Sequence, residues 1–375
     1  MGKRILIAVS NDLVTDQRVL KVSGSLFKHG YEVFLIGRRR KNTLNSRIVF
    51  PHKRLRLLFN RSFLFYAELN IRLFLYLLFS KADIYYANDT DTLPACFLAS
   101  KIRKKQLIFD AHELFPETPE LRDRPFVKKF WTKIEDLIFP HLNTSFTVCD
   151  SIANYYRNKY GINMQVLRNV PHLSELPTER KITVPDKKII LYQGAVNMGR
   201  GLEWVINAMP YIKDAVLYII GDGDLLMELK QKVKMLGLES KVIFHGKVSG
   251  KELQSYTSSG DIGLCLLENK GLSYYYSLPN RVFAYLHAHV PILASPFPEI
   301  VQIVKKHHTG ILTDEYEPHK LAATIQAMLE NPMDTTHFDT VKKLYCWEQE
   351  EKILLEAINR LSQNKYSTKN NKVSF

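Results

Sequence analysis

The chain has 375 residues, 46% of them apolar and 24% charged, with a formal net charge of +14. These proportions exclude a disordered chain, and the length exceeds one ordinary core, so two globular domains are expected. The four cysteines, Cys96, Cys149, Cys265 and Cys346, are widely separated with no Cys-x-x-Cys pair, which argues against a disulfide framework or a structural zinc and fits a reducing compartment.

The N-terminus, MGKRILIAVS, carries no small-residue cleavage site and is followed by polar Asn11 and Asp12, so Arg4–Ser10 reads as a buried strand and not a signal peptide. Asp16–His29 reads as a helix, with Val19, Val22, Leu26 and Phe27 on one face and Gly30 as its stop. A strand follows at Glu32–Gly37. Leu55–Phe79 is very apolar, but Arg61, Glu68, Asn70 and Arg72 interrupt it and the longest clean run is Leu73–Phe79. A charge at mid-span costs roughly 2.5–3.5 kcal/mol, so Ser62–Phe79 reads as a buried or surface-lying helix and not a membrane span. Strands at Ile84–Ala87, Gln106–Asp110 and Ser145–Val148 then alternate with helices at Thr92–Arg103 and Phe126–His141.

The polar stretch 172–186, with Pro171, Pro177 and Pro185 in or beside it, reads as a linker. Strands resume at Lys188–Gln193, Val216–Gly221, Val242–His245, Ile262–Leu267, Ile292–Ala294 and Gly310–Leu312. Helices are expected at Leu202–Met209, Leu225–Leu236, Lys251–Ser258, Arg281–His287 and Pro318–Leu329, then near Glu348–Leu361 before a polar tail. Alternation of this kind makes an α/β protein of parallel, doubly wound sheets, whose ligands bind beyond the C-terminal ends of the strands. The expected division is a first domain over 1–171, a linker over 172–186 and a second domain over 187–338. A C-terminal helix over 339–363 would pack back on the first domain, ahead of a tail over 364–375.

Charge is uneven along this plan. Residues 1–180 carry 29 Lys and Arg against 17 Asp and Glu, whereas residues 181–375 carry 23 against 21. Basic runs stand at Arg38–Lys41, Lys53–Arg56, Lys101–Lys105 and Lys128–Lys129. Such a one-sided surface suits phospholipid headgroups, a lipid phosphate or nucleic acid; the plain alternative is solvated side chains on loops and helix ends.

Four segments after strands carry candidate chemistry. Gln193–Gly201 holds Gly194, Gly199 and Gly201 with Arg200 ahead of a helix, an arrangement of backbone N–H groups and a cation that suits a diphosphate, or else a plain strand-to-helix turn. Gly221-Asp222-Gly223-Asp224 allows close backbone approach to a ligand, or is a tight turn; no GxGxxG follows, so the nicotinamide fingerprint is absent. Ser277–Tyr285 places Asn280 and Arg281 at a helix start, where Arg281 meets a phosphate or is merely exposed on a core helix. Asp110-Ala111-His112-Glu113 follows a strand, so His112 projects an imidazole able to bond a sugar hydroxyl or move a proton.

In order and spacing, YQGAVNMGRGLEWVINAM, IIGDGD, LPNRVFAYLHAHVPILAS and TGIL resemble the donor domain of glycosyltransferase family four, the large retaining family with the GT-B fold. NDLVTDQRVLKVSGSLFKHGYEVFLIG, YYANDTDTLPA and FDAHELFPE are similar to its acceptor domain, and the likeness spans roughly residues 4–330. The resemblance implies two Rossmann-like domains facing a central cleft. It also implies transfer of a sugar from a nucleoside diphosphate donor with retention, without cofactor or bound metal. It places Arg200 at the donor diphosphate, Gly194, Gly199, Gly221, Asp222, Gly223 and Asn280 near the donor, and His112 at the transferred sugar. Asn88, Asp89 and Glu113 fall on the acceptor side, with Asn11 where many relatives have a glycine loop.

The family's paired glutamates would fall at Tyr276 and Ala284, and Ala cannot hold a ribose hydroxyl; Glu268 is a candidate substitute, and Arg281 a compensating cation. With no protein nucleophile, the chemistry falls to Arg200, Arg281 and nearby amides, which stabilise the leaving diphosphate, while His112 orients the sugar. The basic first half suggests a lipid-linked or oligosaccharide acceptor in bacterial surface-polysaccharide assembly. That implies a cytoplasmic site at the inner face of the membrane; Ser62–Phe79 reads first as an ordinary core helix, the alternative being peripheral contact at the interface. Rival readings are a non-catalytic relative acting as a binding or scaffold protein, and a nucleotide-sugar epimerase. Nucleic-acid binding finds no motif.

Overall fold

The structure is a computed structural model that describes residues 2–14, 16–40, 48–174, 180–248, 250 and 252–370, with 362–370 as backbone only. Lys41 of the first basic run, Lys251 at an expected helix start, 175–179 of the expected linker and 371–375 of the tail lie outside the described residues.

The chain forms two compact units, Met1–Asn169 with Glu350–Phe375, and Val170–Gln349. The first is built from β1 (Arg4–Ala8), α1 (Gln17–Lys28), β2 (Glu32–Arg38), β3 (His52–Leu55), α2 (Ser62–Phe79), β4 (Ile84–Asn88), α3 (Leu93–Arg103), β5 (Gln106–Ala111), α4 (Pro125–Ile138), β6 (Ser145–Thr147), α5 (Asp150–Tyr160) and β7 (Gln165–Val166). Its strands are all parallel, in the order β3-β2-β1-β4-β5-β6-β7. The order reverses between β1 and β4, and both strands are buried nearly throughout, as central parallel strands must be.

The second unit contains β8 (Lys188–Gln193), α6 (Leu202–Ala208), β9 (Ala215–Ile220), α7 (Leu226–Met235), β10 (Val242–Gly246), α8 (Leu253–Thr257), β11 (Ile262–Cys265), α9 (Leu272–Tyr275) and α10 (Asn280–His287). It continues with β12 (Ile292–Ala294), α11 (Pro298–Val304), β13 (Gly310–Leu312), α12 (Pro318–Glu330) and α13 (Phe338–Leu344). Its parallel sheet runs β10-β9-β8-β11-β12-β13, with the reversal between β8 and β11. Ile190, Leu217, Ile219 and Leu264 of the sheet pack with Val205 and Ile206 of α6 and Leu321 and Ile325 of α12 to form its core.

Three expectations change. The described end of the expected linker, from residue 180, is not free: Lys181 N–H donates to the Ser255 carbonyl at 3.3 Å and Ile182 N–H to Ser259 Oγ at 3.0 Å, so it lies along the second unit. Residues 339–363 are not one helix. α13 packs Phe338 and Val341 on Leu286 of α10, and a separate helix, α14 (Trp347–Asn370), joins the first unit from Glu350 onward. There the buried Glu350 carboxylate accepts Arg168 N–H at 2.7 Å, and Tyr31 Oη donates to Asn359 at 3.2 Å. The same helix runs through much of the stretch read as a polar tail. Finally, α2 is no ordinary core helix: only 22% of its residues are buried.

Candidate functional site

In the first unit the candidate residues gather at the reversal between β1 and β4 and at the end of β5. Asn88 ends β4, buried, and its amide donates to the Ala8 carbonyl of β1 at 2.9 Å, tying the two strand ends together. Asp89 turns the chain through a left-handed residue (φ 60°) and accepts His112 N–H at 2.8 Å. The His112 ring lies between two carboxylates, Nδ1 3.2 Å from Asp89 and Nε2 3.6 Å from Asp110. Burial disfavours the imidazolium, but Asp89 and Asp110 together outweigh it and hold the ring protonated well above the ordinary histidine range. Glu113 follows with an exposed side chain, and Asn11 is exposed with its carbonyl accepting Arg38 N–H at 3.2 Å.

Asp110 is fully buried under this pair. Arg18 of α1 grips it in bidentate fashion, Nη2 at 2.7 Å and Nε at 3.0 Å, and donates through Nη1 to the Leu167 carbonyl at 2.6 Å. Tyr86 of β4 donates to it at 2.8 Å. Burial alone would raise the Asp110 carboxyl; Arg18, with His112, overrides it and holds the group well below the usual carboxylate range. Neither Arg18 nor Tyr86 was singled out in the sequence. Asp91 was also missed: it is buried, one carboxylate oxygen has no hydrogen-bond partner, and burial and then Asp89 push it up to about 7. Beneath the same loop, buried Glu135 of α4 accepts Thr90, Tyr156 and Tyr160 hydroxyls at 3.1–3.3 Å.

In the second unit the candidates meet at the reversal between β8 and β11. Those strands pair only at Ile262 with Ile190 and Gly263 with Leu191, then diverge. Tyr285 of α10 fills the opening: its hydroxyl donates toward the Leu191 and Leu264 carbonyls at 3.1 and 3.3 Å and accepts Gln193 N–H at 3.2 Å. Arg281, one turn earlier on α10, lies over the Tyr192 ring (4.6 Å) and reaches the Gln193 carbonyl at 3.5 Å, just beneath Gly194. It is buried, not exposed on the helix. Arg200 rests on the Tyr274 ring at 4.8 Å, and its buried Nε has no hydrogen-bond partner. The buried Cys265 thiol, at the end of β11, is raised by burial and pulled back by both Arg281 and Arg200, which places the two guanidinium groups around one strand end. Among the described residues, neither arginine forms an ion pair with a carboxylate.

Gly199 (φ 79°) leads into Arg200 and is hemmed in, since a Cβ there would stand 3.1 Å from the Tyr274 ring and 3.2 Å from Lys270. Its carbonyl accepts Glu268 N–H at 3.1 Å, which sets Glu268, paired to Lys270 at 2.6 Å, beside the Arg200 turn. Tyr192, Tyr274 and Lys270 are the neighbours that sequence reasoning missed; the run Tyr274-Tyr275-Tyr276 before the Pro-Asn-Arg segment was the available signal.

Gly221 and Gly223 show the tight turn that is one of the two readings of this segment. Any Cβ at Gly221 would meet the Gly194 carbonyl, and one at Gly223 the Val196 carbonyl and the Asn197 amide oxygen. The two strand-end turns are bonded together, Gly194 N–H to Ile220 and Val196 N–H to Asp222 at 2.9 and 3.1 Å. These glycines admit a neighbouring turn. Asp222 points to Lys247 (3.1 Å), and Asn280 is exposed at the first turn of α10.

Known proteins match this chain in sequence and fold. Residues 17–172 match Glycosyltransferase Family 4, and residues 187–331 match Glycosyl transferases group 1. An α-1,4-N-acetyl-D-galactosaminyltransferase of Campylobacter jejuni, whose name specifies an undecaprenol-diphosphate-linked saccharide, is 23% identical over 67% of this chain and 66% of its own length. The chain spans 37–66% of the length of the curated relatives it matches. Among solved structures, sucrose-phosphate synthase from Thermosynechococcus elongatus superposes with a TM-score of 0.78 at 16% identity, covering 96% of this chain and all of that one. Anabaena HepE in complex with UDP and glucose gives 0.76 at 14%, with the same coverage. At such identity the likeness establishes the fold, which is GT-B.

Proposed function

The chain belongs to glycosyltransferase family four, and on that premise we propose that it moves a sugar from a nucleoside diphosphate-sugar to a lipid-linked or saccharide acceptor, with retention of configuration and without a metal. The observation that carries the reading is the pair Arg200 and Arg281. Two guanidinium groups with no carboxylate partner among the described residues surround the strand end at a sheet reversal, beside a glycine turn. An unpaired buried cation is costly unless an anion completes it, and the diphosphate of a sugar donor supplies two negative groups at that point.

The leaving diphosphate gains charge as the glycosidic bond breaks, so fixed cations favour the transition state over the ground state. Glu268, held at the Gly199 turn, is the carboxylate available for donor hydroxyls where Ala284 offers none. His112, protonated between Asp89 and Asp110, donates a charged hydrogen bond to a sugar oxygen. The protein named for an undecaprenol-linked saccharide, and the basic first half of this chain, support a lipid-linked acceptor in cell-surface polysaccharide synthesis. They also support a cytoplasmic location at the membrane.

Calorimetric titration with UDP, GDP and their sugar conjugates tests the donor site. One nucleotide binds to the wild type, and Arg200→Ala weakens it by about 10²-fold or more. Failure of every nucleotide to bind would instead mean that the chain is a non-catalytic relative, with Ala284 and Tyr276 marking a lost donor site. The anomeric configuration of the product by NMR tests retention.

A further inference from the structure

The surface of the first unit carries a feature that sugar transfer does not use. At 100° per residue, Phe65, Leu69, Leu73 and Leu77 of α2 form one stripe facing the domain, and all four are buried. The opposite stripe is equally apolar and lies in the open: Leu64, Ile71, Leu75 and Phe79 are 48%, 61%, 50% and 85% exposed. Patches of this kind on a soluble domain mark an interaction surface. α4 extends it, with Phe126 88% exposed and Phe130 in edge contact with Phe63 of α2, ring centroids 6.2 Å apart.

The surroundings say what this face meets. The only carboxylate of α2, Glu68, is occupied by Arg72 at 2.7 Å and by the Leu58 and Phe59 N–H groups. Exposed cations flank the stripe: Arg61 caps its start, Lys53 lies over the Tyr76 ring at 5.1 Å, and Lys129 and Lys133 stand on α4. Toward Leu75 and Phe79 it opens on a cavity of about 340 Å³ that also holds Arg4 and Lys81. Apolar side chains ringed by cations match an anionic headgroup layer over acyl chains, whereas a partner protein would need carboxylates to meet the cations. A span across the bilayer is excluded by the buried stripe, which is spent on the domain.

We propose that α2 and the start of α4 seat the first unit on an anionic phospholipid bilayer, with α2 lying in the interfacial plane. The inference stands on the surface itself and rests on the glycosyltransferase reading only for what docking serves. Aromatic contacts lead inward from this face, Phe130 to Trp131 (5.4 Å) and Trp131 to Phe115 (5.0 Å), three residues beyond His112. A lipid-linked acceptor entering from the bilayer would thus arrive at the His112 end of the sheet.

The full chain is floated with vesicles of phosphatidylcholine alone or enriched in phosphatidylglycerol, beside the double variant Ile71→Ser/Leu75→Ser. Both side chains are exposed, so thermal melting is expected to be unchanged. The wild type binds the anionic vesicles, releases at high salt, and the variant binds about tenfold more weakly or worse. Absence of wild-type binding overturns the proposal, and so does binding that the variant leaves intact. A wild-type dimer converted to monomer by the same substitutions also overturns it, since a second copy then covers the face. Nucleotide affinity is measured on the same samples: its loss with vesicle binding retained would sink the donor reading and leave the docking standing.

Discussion

The two sheets reverse strand order in the same way, yet their reversal points are furnished with opposite charge. At β1/β4 the polar groups are mutually paired: Arg18 on Asp110, Tyr86 on Asp110, His112 between Asp110 and Asp89. At β8/β11 two cations stand with aromatic rings and carbonyls for company and, among the described residues, no carboxylate ion-paired to them. At the first point each cation already faces a carboxylate; at the second, on the proposed reading, an anion completes the pair. On the proposed reading the same topology presents a hydrogen-bonding surface for sugar hydroxyls in one unit and a seat for a diphosphate in the other, and the difference lies in side chains at strand ends, not in the fold.

Removing an arginine from each point tests this contrast most severely. Arg18→Met strands the Asp110 carboxylate in a fully buried position and should cost about 3–5 kcal/mol, read by urea unfolding of the purified chain. Because the Asp110 carboxyl is depressed in the fold, the stability it supplies is complete above about pH 3.9 and drains away as pH falls below that. The triple variant Arg18→Met/Asp110→Leu/Tyr86→Phe, which strands no charge, should recover most of the loss. Arg281→Met strands nothing: stability should stay within about 1 kcal/mol of wild type, while nucleotide affinity falls by roughly 10–100-fold. Equal destabilisation by the two substitutions would mean that Arg281 is a structural cation and that the comparison is false.

Much of this was legible in the sequence because it depends on local pattern. The apolar runs and their turns gave Ser62–Phe79, Lys188–Gln193 and Ile292–Ala294 to the residue, and the Gly199-Arg200 turn and His112 stand at strand ends as expected. What stayed hidden depends on distant pairing. Arg18 and Asp110 are 92 positions apart, and nothing in either neighbourhood announces the other. β3 escaped notice because His52-Lys53-Arg54-Leu55 is an edge strand, largely exposed and charged, without a core pattern. Gly221 and Gly223 were ambiguous for another reason: a glycine that admits a ligand and one that admits a neighbouring carbonyl are the same letter, and the carbonyl contact appears only in the packing of the Gly194 turn. For α2, a helix apolar all round reads as core, and the open stripe appears only once the fold shows which face has a partner.

The smallest expected effect, and the finest test of the contrast, concerns His112. Its ring is held protonated by Asp89 and Asp110 against the cost of burial, so its folded value is raised above the ordinary histidine value of about 6.5. A raised histidine contributes stability that is complete below the unfolded value and fades as pH climbs through the folded one. His112→Asn removes the charge and keeps a donor for Asp89, so wild type should exceed the variant by about 1 kcal/mol at pH 6. The gap should narrow steadily as pH rises above about 6.5. Asp91, pushed up to about 7, is partly pulled back by His112 and loses that pull in the variant, so its own titration is followed by NMR in both proteins and subtracted. The ring resonances followed by NMR should move only above that pH. A ring that titrates below it, or a gap that widens with pH, would make His112 neutral in the fold. It would then accept, and not donate, toward a sugar hydroxyl, and the first reversal point would lose its only proposed cation for the substrate.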